Sequence, residues 1–174
     1  TLGRRPRGID WLEGWLEDHP EATRAALLLG DLQAAADREQ EAIHTYRRVL
    51  AHDPGSPRAL NNLGWLLRQS EPAQALDLAR QAASLRPDSP RIKDTLGMVL
   101  LANDRASQAI PHLREAVSAA PEVPEFRFHL ARALHAAGHK EEARSELAAT
   151  LDSGSDFPEA DQARELLRKL KGGR

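Results

Sequence analysis

The residues of this chain best equipped for chemistry are seven histidines: His19, His44, His52, His112, His129, His135 and His139. Imidazole is the commonest metal ligand and the side chain that ordinarily titrates near neutrality. A metal reading would have to rest on His44 with His52, or on His135 with His139. The second pair has the four-residue spacing that sets two ligands on one helical face. Gly138 ends the helix between them, however, and no adjacent carboxylate completes a shell. All seven therefore read as surface histidines, with His129 and His135 able to serve a binding surface without a metal. There is no cysteine, which excludes thiol catalysis and disulfides. The glycines are isolated rather than clustered after a strand, so no phosphate-cradling loop is present. Serines fall chiefly in turns, such as Ser56, Ser70 and Ser89, without a nucleophile elbow. The pair Glu141 and Glu142 opens a helix, where negative charge complements the positive end of the dipole. The expectation is a chain that is not an enzyme, with no catalytic residue, no metal and no cofactor.

Charge narrows the partners. Lysine and arginine number 24 against 26 aspartates and glutamates, a formal net charge of -2. That balance exerts no long-range pull on nucleic acid or an anionic membrane, and only Arg4, Arg5 and Arg7 make a local basic cluster. No window approaches the roughly 18 uninterrupted apolar residues of a membrane span, so direct membrane insertion is not expected. The chain opens on Thr1 rather than methionine, as a processed product or a fragment of something longer would. Three Trp, three Phe and one Tyr are few aromatics for 41% hydrophobic content. Alanine and leucine must build the interior, which favours closely packed helices over sheets.

What must position these residues is a repeat. Pro20, Pro54, Pro87 and Pro121 are spaced by 34, 33 and 34 residues, and each marks a helix exit. Gly30, Gly64, Gly97 and Ala131 keep the same intervals. A glycine inside a helix costs about 1 kcal/mol relative to alanine, so its recurrence points to close approach of a neighbouring helix. Ala42, Ala75, Ala109 and Ala143, at 33, 34 and 34, each begin a second helix with apolar residues on one face. The one missing residue falls near Ser70-Glu71-Pro72, in the turn between the two helices.

The register divides a single domain, 1–174, into a partial repeat at 3–22, full repeats at 23–56, 57–89, 90–123 and 124–157, and a capping helix at 158–171. First helices are expected over 24–35, 58–69, 91–101 and 125–136, and second helices over 39–52, 73–85, 107–119 and 140–151. Their short turns force antiparallel pairs. The partial repeat lacks its first helix, and Trp11 and Trp15 are expected to seal that end against the helix at 24–35, or to be covered by preceding repeats of a longer protein. Ala160, Ala163, Leu166, Leu167 and Leu170 form the stripe by which the last helix covers the other end.

Thirty-four-residue units with Leu-Gly in the first helix, Ala opening the second and Pro at the exit resemble the tetratricopeptide repeat. The best matches are Asn62-Leu63-Gly64-Trp65 with Ala75, Ala79, Ala82 and Pro87, and Leu96-Gly97 with Ala109, Ala116 and Pro121. Unit 124–157 departs most, with Ala131 for glycine, Thr150 for alanine and Ser155 for the exit proline. The resemblance implies an all-α, right-handed superhelix of antiparallel helix pairs, an α-solenoid, whose first helices line the concave face. A narrower resemblance rests on 59–67 (ALNNLGWLL), on 94–100 (DTLGMVL) and on Phe128-His129-Leu130-Ala131. It is to the C-terminal repeats of large bacterial envelope proteins linked to exopolysaccharide export or exosortase sorting. This implies a periplasmic or cell-envelope location, with the cytoplasm as the alternative.

In that scheme positions 2, 5, 9 and 12 of each first helix face the groove. The candidate partner-binding residues are Arg58, Asn61, Trp65, Arg91, Asp94, Met98, Phe128, Arg132 and His135, with Trp65, Met98 and Arg132 in one column. Apolar anchors beside Arg and Asn suit a protein or peptide segment. A chaperone-tail receptor does not fit, because Asn61 and Trp65 stand where that pattern wants lysine and asparagine. The expected function is a protein–protein interaction scaffold. The rival is a structural spacer or self-association module working through the terminal repeats, with carbohydrate contact a more distant third.

Overall fold

A computed structural model describes residues 5–152 and 157–172. Gly3, where the partial repeat is expected to start, the exit position Ser155 and the side chains of Arg4, Arg5 and Arg7 lie outside the described residues. Two compact units make up the chain, Thr1–Arg86 and Pro87–Arg174. All the described regular structure is helical.

The first unit holds α1 (Arg5–Asp18), α2 (Thr23–Ala34), α3 (Glu39–His52), α4 (Pro57–Leu67) and α5 (Pro72–Leu85). Here α2 pairs with α3 and α4 with α5, while α1 packs on α2 and α3 on α4. The second unit holds α6 (Pro90–Ala102), α7 (Ala106–Ala119), α8 (Pro124–Ala136), α9 (Lys140–Asp152) and α10 (Ala160–Gly172). In it α6 pairs with α7 and α8 with α9, α7 packs on α8, and α10 closes against α9. Helices of the expected hairpins end within two residues of where the periodicity places them.

Small residues set how near the paired helices come. A Cβ at Gly30 would stand 2.7 Å from the Tyr46 ring of α3, and one at Gly97 would run into the Cγ of Leu113 on α7. At Gly64 the obstacle is backbone, the carbonyl oxygen of Ala75 at 3.3 Å. Ala42, Ala75, Ala109 and Ala143, which open the second helices, are wholly buried. The same two positions thus serve as the crossing point of one hairpin after another, and this is the close approach that the glycine recurrence requires.

The turns explain the missing residue. Asp37, Asp104 and Gly138 adopt positive φ (58°, 58° and 86°) just after α2, α6 and α8. Each is followed by an amide that reaches back five residues: Arg38 to Gln33, Arg105 to Leu100 and His139 to Leu134. This is the left-handed helix ending usually given to glycine. In the α4–α5 turn the amide of Glu71 reaches back only four residues, to Leu67. The deletion removes the left-handed residue itself and leaves the two helices in register.

Proline does more than mark exits. Pro57, Pro72, Pro90 and Pro124 each open a helix, where the missing N–H would have had no partner. Pro111 lies inside α7, contrary to the rule used to read the exits. Its ring is exposed, so the ladder loses one bond without a side chain being displaced. At the chain's start, Ile9, Leu12 and Leu16 are the buried residues of α1, while Trp11 is 65% exposed. Trp11 therefore does not seal that end; the aliphatic row packed toward α2 does. At the other end Ala160 and Ala163 join Phe128, Leu147 and Phe157 in one cluster, flanked by Leu166, Leu167 and Leu170.

Two substitutions test this geometry by urea denaturation. Gly97→Ala should lower stability by about 1–3 kcal/mol through overpacking against Leu113, although alanine is the better helix former. Asp104→Gly should raise it by about 1 kcal/mol by relieving the left-handed residue.

Candidate functional site

The first helices of the first unit, α2 and α4, are joined by a polar network. Asp31 of α2 accepts from the Tyr46 hydroxyl at 2.7 Å and from Asn62 Nδ2 at 2.9 Å, and it pairs with Arg58. Asn62 also donates to the Tyr46 oxygen at 3.1 Å. Burial, and then the bond to Asp31, push the Tyr46 phenol well above its ordinary pKa, so it stays a neutral donor at any physiological pH. Asn61 is buried; its Nδ2 donates to Asn62 Oδ1 at 3.1 Å, and its own Oδ1 has no protein partner. A second polar chain runs from Glu13 through Gln33 to Thr45, at 3.0 and 2.7 Å, tying α1, α2 and α3 together.

Toward solvent, Trp65 is half-buried, and the Arg68 guanidinium lies 3.9 Å above its ring. Arg68 also donates to the Trp65 carbonyl oxygen at 2.6 Å. A cation over an indole face is held by the ring's quadrupole, a contact of about 0.5–1 kcal/mol at exposed sites. Arg58 stays exposed while paired. This surface therefore offers an aromatic face, two guanidinium groups and a carboxylate already engaged.

In the second unit the candidate residues divide. Asp94, Met98 and Phe128 are buried, at 5%, 3% and 2% exposure, as is Asn61 in the first unit. These four serve the interior here. Arg91 and His135 are exposed, and Arg132 is half-buried 5.8 Å from the Phe128 ring centre. Burial lowers the pKa of the Arg132 guanidinium, and Glu159 nearby partly offsets this. The Glu159 Oε2 atom is itself buried without a hydrogen-bond partner.

His129 departs from the expected surface histidine. It is buried at 4%, with Nδ1 at 2.8 and 3.0 Å from the two carboxylate oxygens of Asp94. The pair joins α6 to α8 as Asp31 and Asn62 join α2 to α4. Within each unit, successive first helices thus meet through a polar contact, and no sequence-expected role covered it. The signal was available in the spacing: Asp94 and His129 lie one repeat plus one residue apart. His139 sits 3.5 Å from Glu142 at the exposed start of α9, beyond the helix end at Ala136. Among the described residues no group of three His, Asp or Glu side chains comes together as a metal site would need. None of the described helices is long and apolar enough to cross a membrane.

The buried contact gives a direct prediction. Asp94→Leu should destabilise the chain by about 1–3 kcal/mol, because it removes the carboxylate that a buried imidazole meets. Adding His129→Phe should cost less than the sum of the single changes, with an interaction energy of about 0.5–3 kcal/mol in the double-mutant cycle.

Comparison with known proteins places these observations in a family. Two sequence profiles, both described as tetratricopeptide repeat, match the chain, one at 1–57 and 40–90 and the other at 100–170. A curated relative, the cellulose synthase operon protein C of Pseudomonas fluorescens (strain SBW25), is 33% identical over 153 residues. That match takes in 82% of this chain, which spans only 12% of the relative's length. Among solved structures, a thermophilic TPR protein of Thermus thermophilus superposes with a TM-score of 0.73 at 21% identity, covering 98% of this chain and 92% of that one. The protein YrrB, described as a TPR protein with an unusual peptide-binding site, gives a TM-score of 0.67 at 21% identity, covering 91% and 81%. At these identities the structures speak for the fold alone. With the profiles, the 34-residue register and the glycine-centred hairpins in agreement, the chain belongs to the tetratricopeptide repeat family.

Proposed function

We propose that this chain is a non-catalytic scaffold that binds a segment of a partner protein on the surface of its first helices. The observation that carries this reading is Trp65 on α4, half-buried under the Arg68 guanidinium, with Arg58 exposed on the same helix. Aromatic and arginine side chains are the usual anchors of protein interfaces, and guanidinium groups suit carboxylates and backbone carbonyls. In the second unit Arg91, Arg132 and His135 supply the solvent-facing chemistry, and the half-buried Arg132 is the most strongly desolvated of the three. Asn61, Asp94, Met98 and Phe128 support these surfaces from within. The peptide-binding site for which YrrB is described supports the reading by analogy of fold.

The likeness to a cellulose synthase operon protein supports a finer reading, in which this chain is part of a larger envelope protein associated with exopolysaccharide. On that reading the protein works in the periplasm or at the cell envelope. The exposed Trp11 favours the rival role, association through a terminal repeat.

Peptides selected from a displayed library against the purified chain test the main reading. Trp65→Ala with Arg68→Ala should weaken the selected peptides at least tenfold while leaving the helical circular dichroism unchanged. Unchanged affinity in the folded variant would contradict it. For location, fractionation of cells carrying the tagged gene product should recover it with the periplasm or envelope, and recovery in the cytosol alone would reject the finer reading.

A further inference from the structure

The contact that ties α2 to α4 has a counterpart in the second unit with its charges exchanged. Asp31 of α2 pairs with Arg58 at the start of α4, 27 residues later. Arg132 of α8 and Glu159, just before α10, hold the same two register positions at the same separation. Asp31 is fully engaged: Tyr46 and Asn62 donate to one oxygen, and Arg58 meets the other. The second pair stays open. Glu159 Oε2 is buried without a hydrogen-bond partner, and its charge acts on the Arg132 guanidinium without a bond between them.

The backbone on both sides of this gap is fixed by packing. Arg132 extends over the Phe128 ring at 5.8 Å, and the Phe157 ring meets Phe128 at 6.1 Å. Ala160 and Ala163 are buried in the same cluster as Phe128 and Ala131, and the Ala163 N–H donates to the Glu159 carbonyl oxygen at 3.0 Å. Arg132 and Glu159 are each half-buried, so both can be reached from the surface. Neither is well hydrated: burial lowers the guanidinium pKa, and one carboxylate oxygen is shut off from water. Groups held this way gain more from a ligand's hydrogen bond than solvated ones do.

We infer that Arg132 and Glu159 form a subsite for an uncharged amide group of the partner segment, whose carbonyl accepts from the guanidinium and whose N–H donates to the carboxylate. This rests on the reading that first helices take such a segment, and it adds what the second unit recognises there. The two charges select the ligand. A carboxylate drawn to Arg132 meets like charge at Glu159, and an ammonium drawn to Glu159 meets like charge at Arg132. An apolar side chain leaves both groups without a partner. An amide carries one acceptor and one donor side by side. It comes either from the segment's backbone or from an asparagine or glutamine side chain.

Blocked tripeptides with glutamine, glutamate, lysine or norleucine between two alanines serve as probes, titrated into the full chain and followed through the backbone amide resonances of Ala131 and Arg132. The glutamine peptide should shift them saturably and bind at least threefold tighter than the glutamate and lysine peptides. If the norleucine peptide equals it and methylation of the central backbone nitrogen abolishes both, the backbone is the source; if norleucine fails, the side chain is. Glu159→Gln, which keeps the shape, should weaken the glutamine peptide at least threefold without lowering the urea midpoint of the free chain. Tightest binding by glutamate or lysine, or no saturable shift at millimolar peptide, would overturn the inference. So would a midpoint lowered by Glu159→Gln and restored by adding Arg132→Met, since the pair would then be closed in the free chain. Library peptides lost with Trp65→Ala, beside titrations that show nothing here, would sink this subsite and leave the partner-segment reading standing.

Discussion

The close crossing of paired helices at one small residue is the constraint on which the rest of this structure depends. Where Gly30 meets Tyr46 and Gly97 meets Leu113 there is no room for a methyl group, and at Gly64 the Ala75 carbonyl oxygen would stand a tight 3.3 Å from one. Helices that approach so closely interlock along their length, and each crossing fixes the rotation of both partners. That rotation decides which residues of a first helix face its own partner, which face the next first helix and which are left for solvent. Glycine costs helix stability in isolation; the tight packing it permits offsets that cost.

The second layer of organisation is polar. Each unit links successive first helices through buried or half-buried hydrogen bonds, Asp31 with Asn62 and Tyr46 in one and Asp94 with His129 in the other. Apolar packing tolerates sliding, whereas a hydrogen bond between short side chains fixes register to within a fraction of an ångström. A surface built across first helices can present a fixed spacing of anchors only if those helices do not slide. The binding reading therefore leans on residues that no partner would touch.

Periodicity made the hairpins legible before any coordinates, because proline, glycine and alanine hold backbone roles that few other residues can fill. The candidate surface was only partly legible. Arg58, Trp65, Arg91, Arg132 and His135 keep solvent exposure, while Asn61, Asp94, Met98 and Phe128 turned inward. A position count gives the direction of a side chain from its own helix, but burial is decided by what the neighbouring helix places opposite. His129 shows the limit most clearly. A histidine on a first helix reads as surface until Asp94 is seen beside it, 35 residues away in sequence. Trp11 errs in the opposite sense: a large apolar residue invites a core assignment, yet the element it would pack against is absent from the described residues.

What unites these features is a division of labour within the first helices: one side closes the hairpin, another meets the other first helix of the same unit, and in the proposed function the remaining side presents anchors to a partner. Hydrogen–deuterium exchange of the chain, alone and saturated with a bound partner segment, tests that division most directly. Protection concentrated in α4, residues 57–67, with the second helix 72–85 unchanged, is the expected result. Protection confined to the second helices, with 57–67 exchanging as in the free chain, would contradict the account.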